Sequence, residues 1–251
     1  MCISCLNNSF QKVNHSVHNS GRRSLLKAAG LASAGGLMAM MGVAHAKSTP
    51  PKPANVLTPE QALSRLMDGN ARYVKGDSLA VNFNDTRDVL SRGQNPYACL
   101  VSCADSRVSP ELCFDESRGD LFVTRVAGNF VNTDILASLE YATAVLNAPL
   151  IMVLGHTSCG AIGAAVKAYT ENVSYPGHIQ SLTTALAPAV REASRKTKGD
   201  DLLSTATADN VRLNVIKLKE SNPILSERVS KGSLMIVGGI YDLPTGRVNL
   251  I

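Results

Sequence analysis

Short apolar segments alternate with longer segments of helical periodicity along residues 58–251. An unbroken apolar run of about five residues is typical of a strand buried on both faces, and apolar positions three and four residues apart indicate an amphipathic helix. Buried strands that alternate with helices predict an α/β fold with a mostly parallel central sheet flanked by helices. The predicted strands cover residues 97–102, 121–125, 150–154 and 233–237, with a possible edge strand over 247–251.

The start of the first predicted helix carries a clear capping signal. Thr58 is placed to cap the helix, Pro59 suits its first position, and Gln61 completes a capping box. This helix is expected to run to about Gly76, and Pro223 is expected to break the last helical segment. The other helical segments are predicted over residues 133–147, 158–169, 178–197 and 207–230.

The first 46 residues differ in composition from the rest of the chain. Arg22 and Arg23 precede an uncharged, Gly/Ala-rich run over residues 28–44, which is followed by a small-x-small sequence that ends at Ala46. This order is typical of a twin-arginine export signal that is cleaved after Ala46. The alternative is a retained membrane anchor, but a spanning helix needs about 20 strongly apolar residues. We therefore expect a periplasmic protein with no stable membrane span after cleavage.

Separating this segment changes the interpretation of the charge. The whole chain has a formal net charge of +5, but residues 1–46 contain four basic residues and no acidic one, which leaves +1 for residues 47–251. No polybasic patch remains to indicate a nucleic-acid partner. The remaining length of about 205 residues suits a single domain over 58–251. A proline-rich arm or linker over 47–57 is predicted to precede it.

Two predicted strand ends carry residues that can bind a metal. Cys103 follows the strand 97–102 and His156 follows the strand 150–154, so both lie at the carboxyl ends of parallel strands, where ligands bind. Cys159 is expected in the first turn of the next helix, where the helix dipole favours a thiolate. Two thiolates and one imidazole suit Zn²⁺ with an open fourth position. The alternative for the four cysteines after residue 46 is a pair of disulfides.

Asp105 and Arg107 alternate with Cys103 along the chain, so all three side chains can face one cavity. A carboxylate beside a metal-bound water can orient that water. A guanidinium nearby keeps the carboxylate ionised and can hold it away from the metal. The alternative is an ordinary surface ion pair on a loop.

The sequence resembles the β-class carbonic anhydrases in two motifs. These are CADSR at residues 103–107 and GHTSCG at residues 155–160, in the family's order and near its usual separation. The resemblance extends over most of residues 58–240. It implies reversible hydration of carbon dioxide to bicarbonate, one Zn²⁺ per chain, and a homodimer or dimer of dimers. It also implies zinc ligation by Cys103, His156 and Cys159, with Asp105 and Arg107 as the catalytic pair.

Four further residues match the family's substrate pocket. The resemblance implies that Gln94 hydrogen-bonds substrate across a dimer interface and that the backbone amide of Gly160 lies near the substrate. It implies aromatic pocket walls at Phe122 and Tyr141, although residues of these types are more often plain core residues. His178, in a polar turn, is expected to be a surface histidine rather than a proton shuttle.

Two other functions remain open at this stage. The first keeps the fold and the zinc but hydrolyses carbon disulfide or carbonyl sulfide. The second is a non-catalytic exported protein that stores zinc or uses its cysteines in disulfides. Cys99 and Cys113 are expected to be either buried free thiols or one disulfide formed in an oxidising compartment.

Residues near the metal motif also predict how the site is regulated. In some β-class relatives the aspartate moves onto zinc below neutral pH, and bicarbonate fills a non-catalytic pocket built partly by a tryptophan. Here Leu100 stands at the tryptophan position and Ser102 replaces a glycine, although Arg125 remains near the position of the pocket arginine. We therefore expect an open site, in which Arg107 holds Asp105 away from the metal.

Overall fold

The computed structural model describes residues 50–80, 82, 84–199 and 201–251. In this part of the chain five strands form one sheet, in the order β2-β1-β3-β4-β5. Strands β1 to β4 pair in parallel, and β5 is antiparallel to β4. The strands are β1 (Ala98–Ser102), β2 (Leu121–Arg125), β3 (Leu150–His156), β4 (Met235–Tyr241) and β5 (Val248–Leu250).

Helices connect the parallel strands and cover both faces of the sheet. They are α1 (Pro59–Lys75), α2 (Arg87–Ser91), α3 (Pro110–Cys113), α4 (Thr133–Ala144), α5 (Gly160–Thr170), α6 (Ile179–Lys196), α7 (Asp201–Lys219) and α8 (Ile224–Ser230). Among the helices that the structure describes, none has both the length and the apolar character needed to cross a membrane.

The predicted α/β fold with a mostly parallel sheet is confirmed. The capping box at Thr58 and Gln61 is present, and α1 ends at Gly76 in a left-handed conformation. One helix boundary was predicted wrongly, because α7 begins at Asp201 rather than near residue 207. The strand predicted over residues 233–237 was also placed too early, since β4 runs from Met235 to Tyr241. The short connection after β4 allows an antiparallel β5, whereas a parallel strand would need a long crossover.

Side chains of each central strand alternate between two hydrophobic cores on opposite faces of the sheet. Cys99 and Val101 of β1 belong to the core beneath α4, α7 and α8. Leu100 and Cys113 belong to the core on the opposite face, beneath α1. Both cysteines are buried free thiols. A disulfide between them is therefore excluded by geometry, because their side chains point into different cores.

The described part of the proline-rich arm is anchored to the domain. Pro53–Asn55 forms a single 3₁₀ turn. The Lys52 backbone N–H donates to Asn95 Oδ1 at 2.9 Å, and Asn55 Nδ2 donates to the Asn95 carbonyl at 3.1 Å. Lys52 also forms an ion pair with the buried carboxylate of Asp120. This segment is thus held by specific contacts rather than being a free linker.

Candidate metal centre

The sheet topology brings three potential metal ligands to one point. Cys103 follows β1 directly, His156 is the last residue of β3, and β1 and β3 are neighbours in parallel register. Cys159 is the N-cap residue of α5. The ligand atoms of the three residues all lie within 4.8 Å of one another, and all three side chains are buried. The predicted convergence of these residues is therefore present in the folded chain.

The contacts of His156 show that this cluster suits a metal ion. Its Nδ1 donates to the carbonyl of Thr157 at 2.9 Å, which leaves the lone pair on Nε2. The imidazole is completely buried, and Nε2 has no hydrogen-bond partner among the described residues. Leaving a buried polar atom without a partner costs about 1–3 kcal/mol. A metal-binding histidine characteristically has this arrangement, with the other ring nitrogen oriented by a carbonyl.

The two thiols are also spaced for a shared metal. The Sγ atoms of Cys103 and Cys159 lie 4.0 Å apart. Two thiolates at zinc–sulfur distances of about 2.3 Å in a tetrahedral site would lie about 3.8 Å apart. Without a metal, the hydrogen bond between the two sulfurs lowers the pKa of Cys103 and raises the pKa of Cys159. The donor set and its spacing therefore fit zinc with little rearrangement.

Asp105 and Arg107 form an ion pair next to this cluster. Arg107 donates to the Asp105 carboxylate from its backbone N–H at 2.9 Å, from Nε at 2.9 Å and from Nη2 at 2.7 Å. The guanidinium thereby holds the pKa of Asp105 well below its usual range. Asp105 Oδ2 lies 3.8 Å from His156 Nε2. The pair is therefore part of the site rather than an isolated surface ion pair.

The loop between Cys103 and α3 is held by Arg125, the last residue of β2. Its Nε donates to the Cys103 carbonyl at 3.0 Å, and its Nη2 donates to the carbonyls of Asp105 and Val108, each at 2.8 Å. The sequence had indicated Arg125 only as a possible anion ligand. Its guanidinium instead fixes the backbone that carries Cys103 and Asp105.

Gly128 is a site residue that sequence reasoning missed. Its backbone N–H donates to Cys103 Sγ at 3.3 Å. Gly128 has a φ of +87°, which glycine adopts much more readily than other residues. It follows β2 by three residues, so a third strand end contributes to the cluster. Its only signal in the sequence was a glycine near a predicted strand end.

Gly128→Ala is expected to destabilise the fold by about 1–3 kcal/mol, because a left-handed backbone is strained for alanine. The added Cβ would also lie 2.7 Å from Leu186 Cδ1. Gly163→Ala is a matched control within α5, where a Cβ has nothing within 4 Å. That variant should gain up to about 1 kcal/mol from helix propensity. Urea unfolding measures both, and equal stability of the two variants would contradict the expectation.

Of the four predicted substrate residues, only Gly160 is next to a metal ligand in the sequence, and the other three are exposed or half-buried elsewhere on the domain. Gly160 is the first residue of α5, adjacent to Cys159. Gln94 is exposed beside Leu90 and Gly119. Phe122 is half-buried on the edge strand β2, and Tyr141 is 49% exposed on α4. Within the described part of one chain, no hydrogen bond links Gln94 or Tyr141 to the metal-ligand cluster.

His178 lies outside the cluster. It is exposed and immediately precedes α6. Its backbone carbonyl accepts a hydrogen bond from Ser181 Oγ at 2.7 Å, as is common in the first turn of a helix. This position agrees with a surface histidine.

Comparison with known proteins connects this site to one family. A family model described as carbonic anhydrase matches residues 98–248. The chain is 39% identical to carbonic anhydrase 2 of Mycobacterium tuberculosis over 76% of this chain and 92% of the relative. It is 37% identical to the carbonic anhydrase of Mycolicibacterium smegmatis over 76% of this chain and 93% of the relative.

A solved structure gives the same result for the fold. The β-carbonic anhydrase CcaA is 31% identical to this chain, with a TM-score of 0.59. The match covers 75% of this chain and 94% of that protein. The matched family region includes Cys103, His156 and Cys159 together with the strands that position them. The chain therefore belongs to the β class of the carbonic anhydrase family.

Proposed function

We propose that this enzyme binds one Zn²⁺ through Cys103, His156 and Cys159 and catalyses the reversible hydration of carbon dioxide to bicarbonate and a proton. The observation that carries the proposal is the buried cluster itself, in which Nε2 of His156 lacks a partner among the described residues. Zinc in such a site lowers the pKa of a bound water to about 7 and so supplies a nucleophile at ambient pH.

Asp105 and Arg107 supply the orientation that the reaction needs. The Asp105 carboxylate accepts a hydrogen bond from the attacking water and directs it toward carbon dioxide. Arg107 holds this carboxylate with three hydrogen bonds, and a further one from its Nη2 reaches the Ser158 carbonyl at 3.3 Å. Because the pair is fixed before substrate arrives, the reaction requires little reorganisation.

The substrate pocket is proposed to include Gln94, Phe122, Tyr141 and Gly160. Gly160 lies beside the metal ligands of its own chain, whereas Gln94 and Tyr141 are exposed. A homodimer, or a dimer of dimers, would place such surface residues next to the site of a partner. Sedimentation analysis tests this arrangement, and a fully active monomer would contradict it.

The proposed function is tested by measuring metal content and carbon dioxide hydration on the same purified protein. One zinc per chain and hydration that is lost on chelation and regained with zinc are expected. Zinc without hydration would support the non-catalytic alternative. Hydrolysis of carbon disulfide or carbonyl sulfide in place of hydration would support the alternative, a zinc hydrolase on this fold. The absence of bound zinc would overturn the proposal.

We also propose that the site is open near neutral pH, with Asp105 off the metal. Its support is the Asp105–Arg107 pair and the replacement of a tryptophan by Leu100, which is fully buried in β1. Arg125 is engaged by three backbone carbonyls, which leaves less of its guanidinium for bicarbonate.

Bicarbonate titration at mildly acidic pH should therefore show simple product inhibition. Two quantities are measured during the titration. They are the hydration rate and, by X-ray absorption spectroscopy, the zinc coordination. Cooperative loss of activity with the Asp105 carboxylate entering the zinc shell would refute the open site. The same titration near neutral pH is the control.

Export to the periplasm through a twin-arginine signal is a further proposal. It concerns residues 1–46, which lie outside the residues that the structure describes. Amino-terminal sequencing of periplasmic protein should give a chain that begins at Lys47. A variant with lysine at both Arg22 and Arg23 should keep the precursor in the cytoplasm. An intact, membrane-bound chain would instead indicate an anchor.

A further inference from the structure

One face of α7 carries three polar residues, and apolar packing does not account for the burial of two of them. Asn210, Asn214 and Lys217 are spaced by four and three residues, so they share one side of the helix. Asn210 is 3% exposed and Asn214 is 7% exposed. Buried side-chain amides need specific partners. All three residues meet the loop between β2 and α4, which contains Gly128 and Val131.

The contacts form a continuous chain of hydrogen bonds. Asn210 Nδ2 donates to the Gly128 carbonyl at 2.8 Å, and Asn214 Nδ2 donates to Asn210 Oδ1 at 3.1 Å. The Val131 backbone N–H donates to Asn214 Oδ1 at 2.7 Å. Lys217 Nζ donates to the Val131 carbonyl at 2.7 Å. Gly128 and Val131 of this loop are thereby both tied to α7.

Gly128 connects this chain of hydrogen bonds to the metal centre. Its carbonyl accepts from Asn210, and its N–H donates to Cys103 Sγ at 3.3 Å. Asn210 and Cys103 Sγ therefore both contact the backbone of Gly128. An open cavity of about 440 Å³ lies between the loop, α6 and α7. Hydrogen bonds to α7 therefore hold this loop together with the packing of Val131 in the core beneath α4, α7 and α8.

We propose that Asn210, braced by Asn214, is a positioning residue for the metal centre. It fixes Gly128 so that the Gly128 N–H stabilises and orients the Cys103 thiolate. Groups that hydrogen-bond a metal ligand directly, as the Gly128 N–H does, typically contribute about 10- to 100-fold to metal affinity, and Asn210 acts one contact further out. The inference rests on the proposed zinc ligation by Cys103.

The test compares Asn210→Leu with Asn70→Leu in the zinc-loaded protein. Asn70 is a matched control because it is also 3% exposed and has an amide that donates to two backbone carbonyls, those of Cys113 and Gly246, at 2.8 and 2.9 Å. Both variants lose a buried amide of the same kind, but only Asn210 is connected to Cys103. Competition with a chromophoric chelator measures the zinc dissociation constant, and thermal unfolding measures stability.

Asn210→Leu should raise the zinc dissociation constant by about 10-fold, the lower end of the range for direct partners of a ligand, because Asn210 acts through Gly128. Asn70→Leu should lower the unfolding temperature without changing that constant. The cobalt(II)-loaded protein gives a second readout, because its thiolate-to-metal charge-transfer band should shift in Asn210→Leu and not in Asn70→Leu. If Asn210→Leu does not fold, Asn210→Ser, whose shorter side chain cannot reach the Gly128 carbonyl, should give the same two changes.

The possible failures are distinguishable. If wild-type protein binds no zinc, the proposed function fails together with the inference. Suppose instead that wild-type protein binds zinc and that every Asn210 variant that folds has the wild-type zinc affinity and cobalt spectrum. Only the inference is then overturned. An equal loss of zinc affinity in Asn70→Leu would also overturn it, because the effect would then be one of general destabilisation.

Discussion

Asp105→Asn is expected to keep zinc and to lose carbon dioxide hydration by about 10²–10⁴-fold, the usual contribution of a positioned acid–base group. The ligand set of Cys103, His156 and Cys159 is unchanged in this variant, so metal binding should persist. Asparagine retains the shape of aspartate but carries no charge. It cannot pair with Arg107 as a carboxylate does, and it orients the attacking water less well.

Asp115→Asn is the matched control for this variant. Asp115 also pairs with an arginine, since its Oδ2 accepts from Arg72 Nε at 2.6 Å, and it is largely buried. It contacts α1 rather than the metal ligands. This control should lose stability while keeping its hydration rate per bound zinc. If Asp105→Asn loses the metal as well as the activity, Asp105 is a structural ligand and the assigned role is wrong.

Cys103→Ser is expected to abolish stoichiometric zinc binding and, with it, carbon dioxide hydration. A serine hydroxyl is a poor replacement for a thiolate ligand of zinc. The hydrogen bond from the Gly128 N–H to Cys103 Sγ would also be lost. The loss of zinc affinity should exceed the loss of about 10- to 100-fold that is typical when a residue that only orients a ligand is replaced. Metal analysis after dialysis and stopped-flow hydration measure the two effects.

Cys113→Ser provides the control for removing a buried thiol. Cys113 is 1% exposed and lies in the core on the α1 face of the sheet, away from the metal ligands. Its variant should bind one zinc per chain and hydrate carbon dioxide at the wild-type rate per zinc. Stoichiometric zinc in Cys103→Ser, at wild-type affinity, would remove Cys103 from the ligand set.

Local sequence patterns were sufficient for most of the secondary structure. The apolar runs at β1 and β3 predicted strands because their residues are buried on both faces, and every residue of these strands is buried. The capping box at Thr58 predicted the start of α1 because its hydrogen bonds are local. The start of α7 was missed by six residues, because its first turns are placed by the packing of Leu202 and Ala206 against α5 and α6, which no local pattern records.

The sequence by itself determined which residues form the candidate metal centre. Each of the two motifs follows a strand, and the carboxyl ends of neighbouring parallel strands meet at one edge of the sheet. A short-range pattern and one topological rule therefore sufficed to bring Cys103, His156 and Cys159 together.

Only the tertiary structure decided how those ligands are supported. Asn210 contacts Gly128 across 82 positions of the chain, and nothing in the local sequence of either residue indicates the contact. Cys99 and Cys113 lie in different cores because the sheet separates them. Such relations depend on which helix packs on which face of the sheet. That choice is made by the summed burial of many apolar side chains, so no single motif records it.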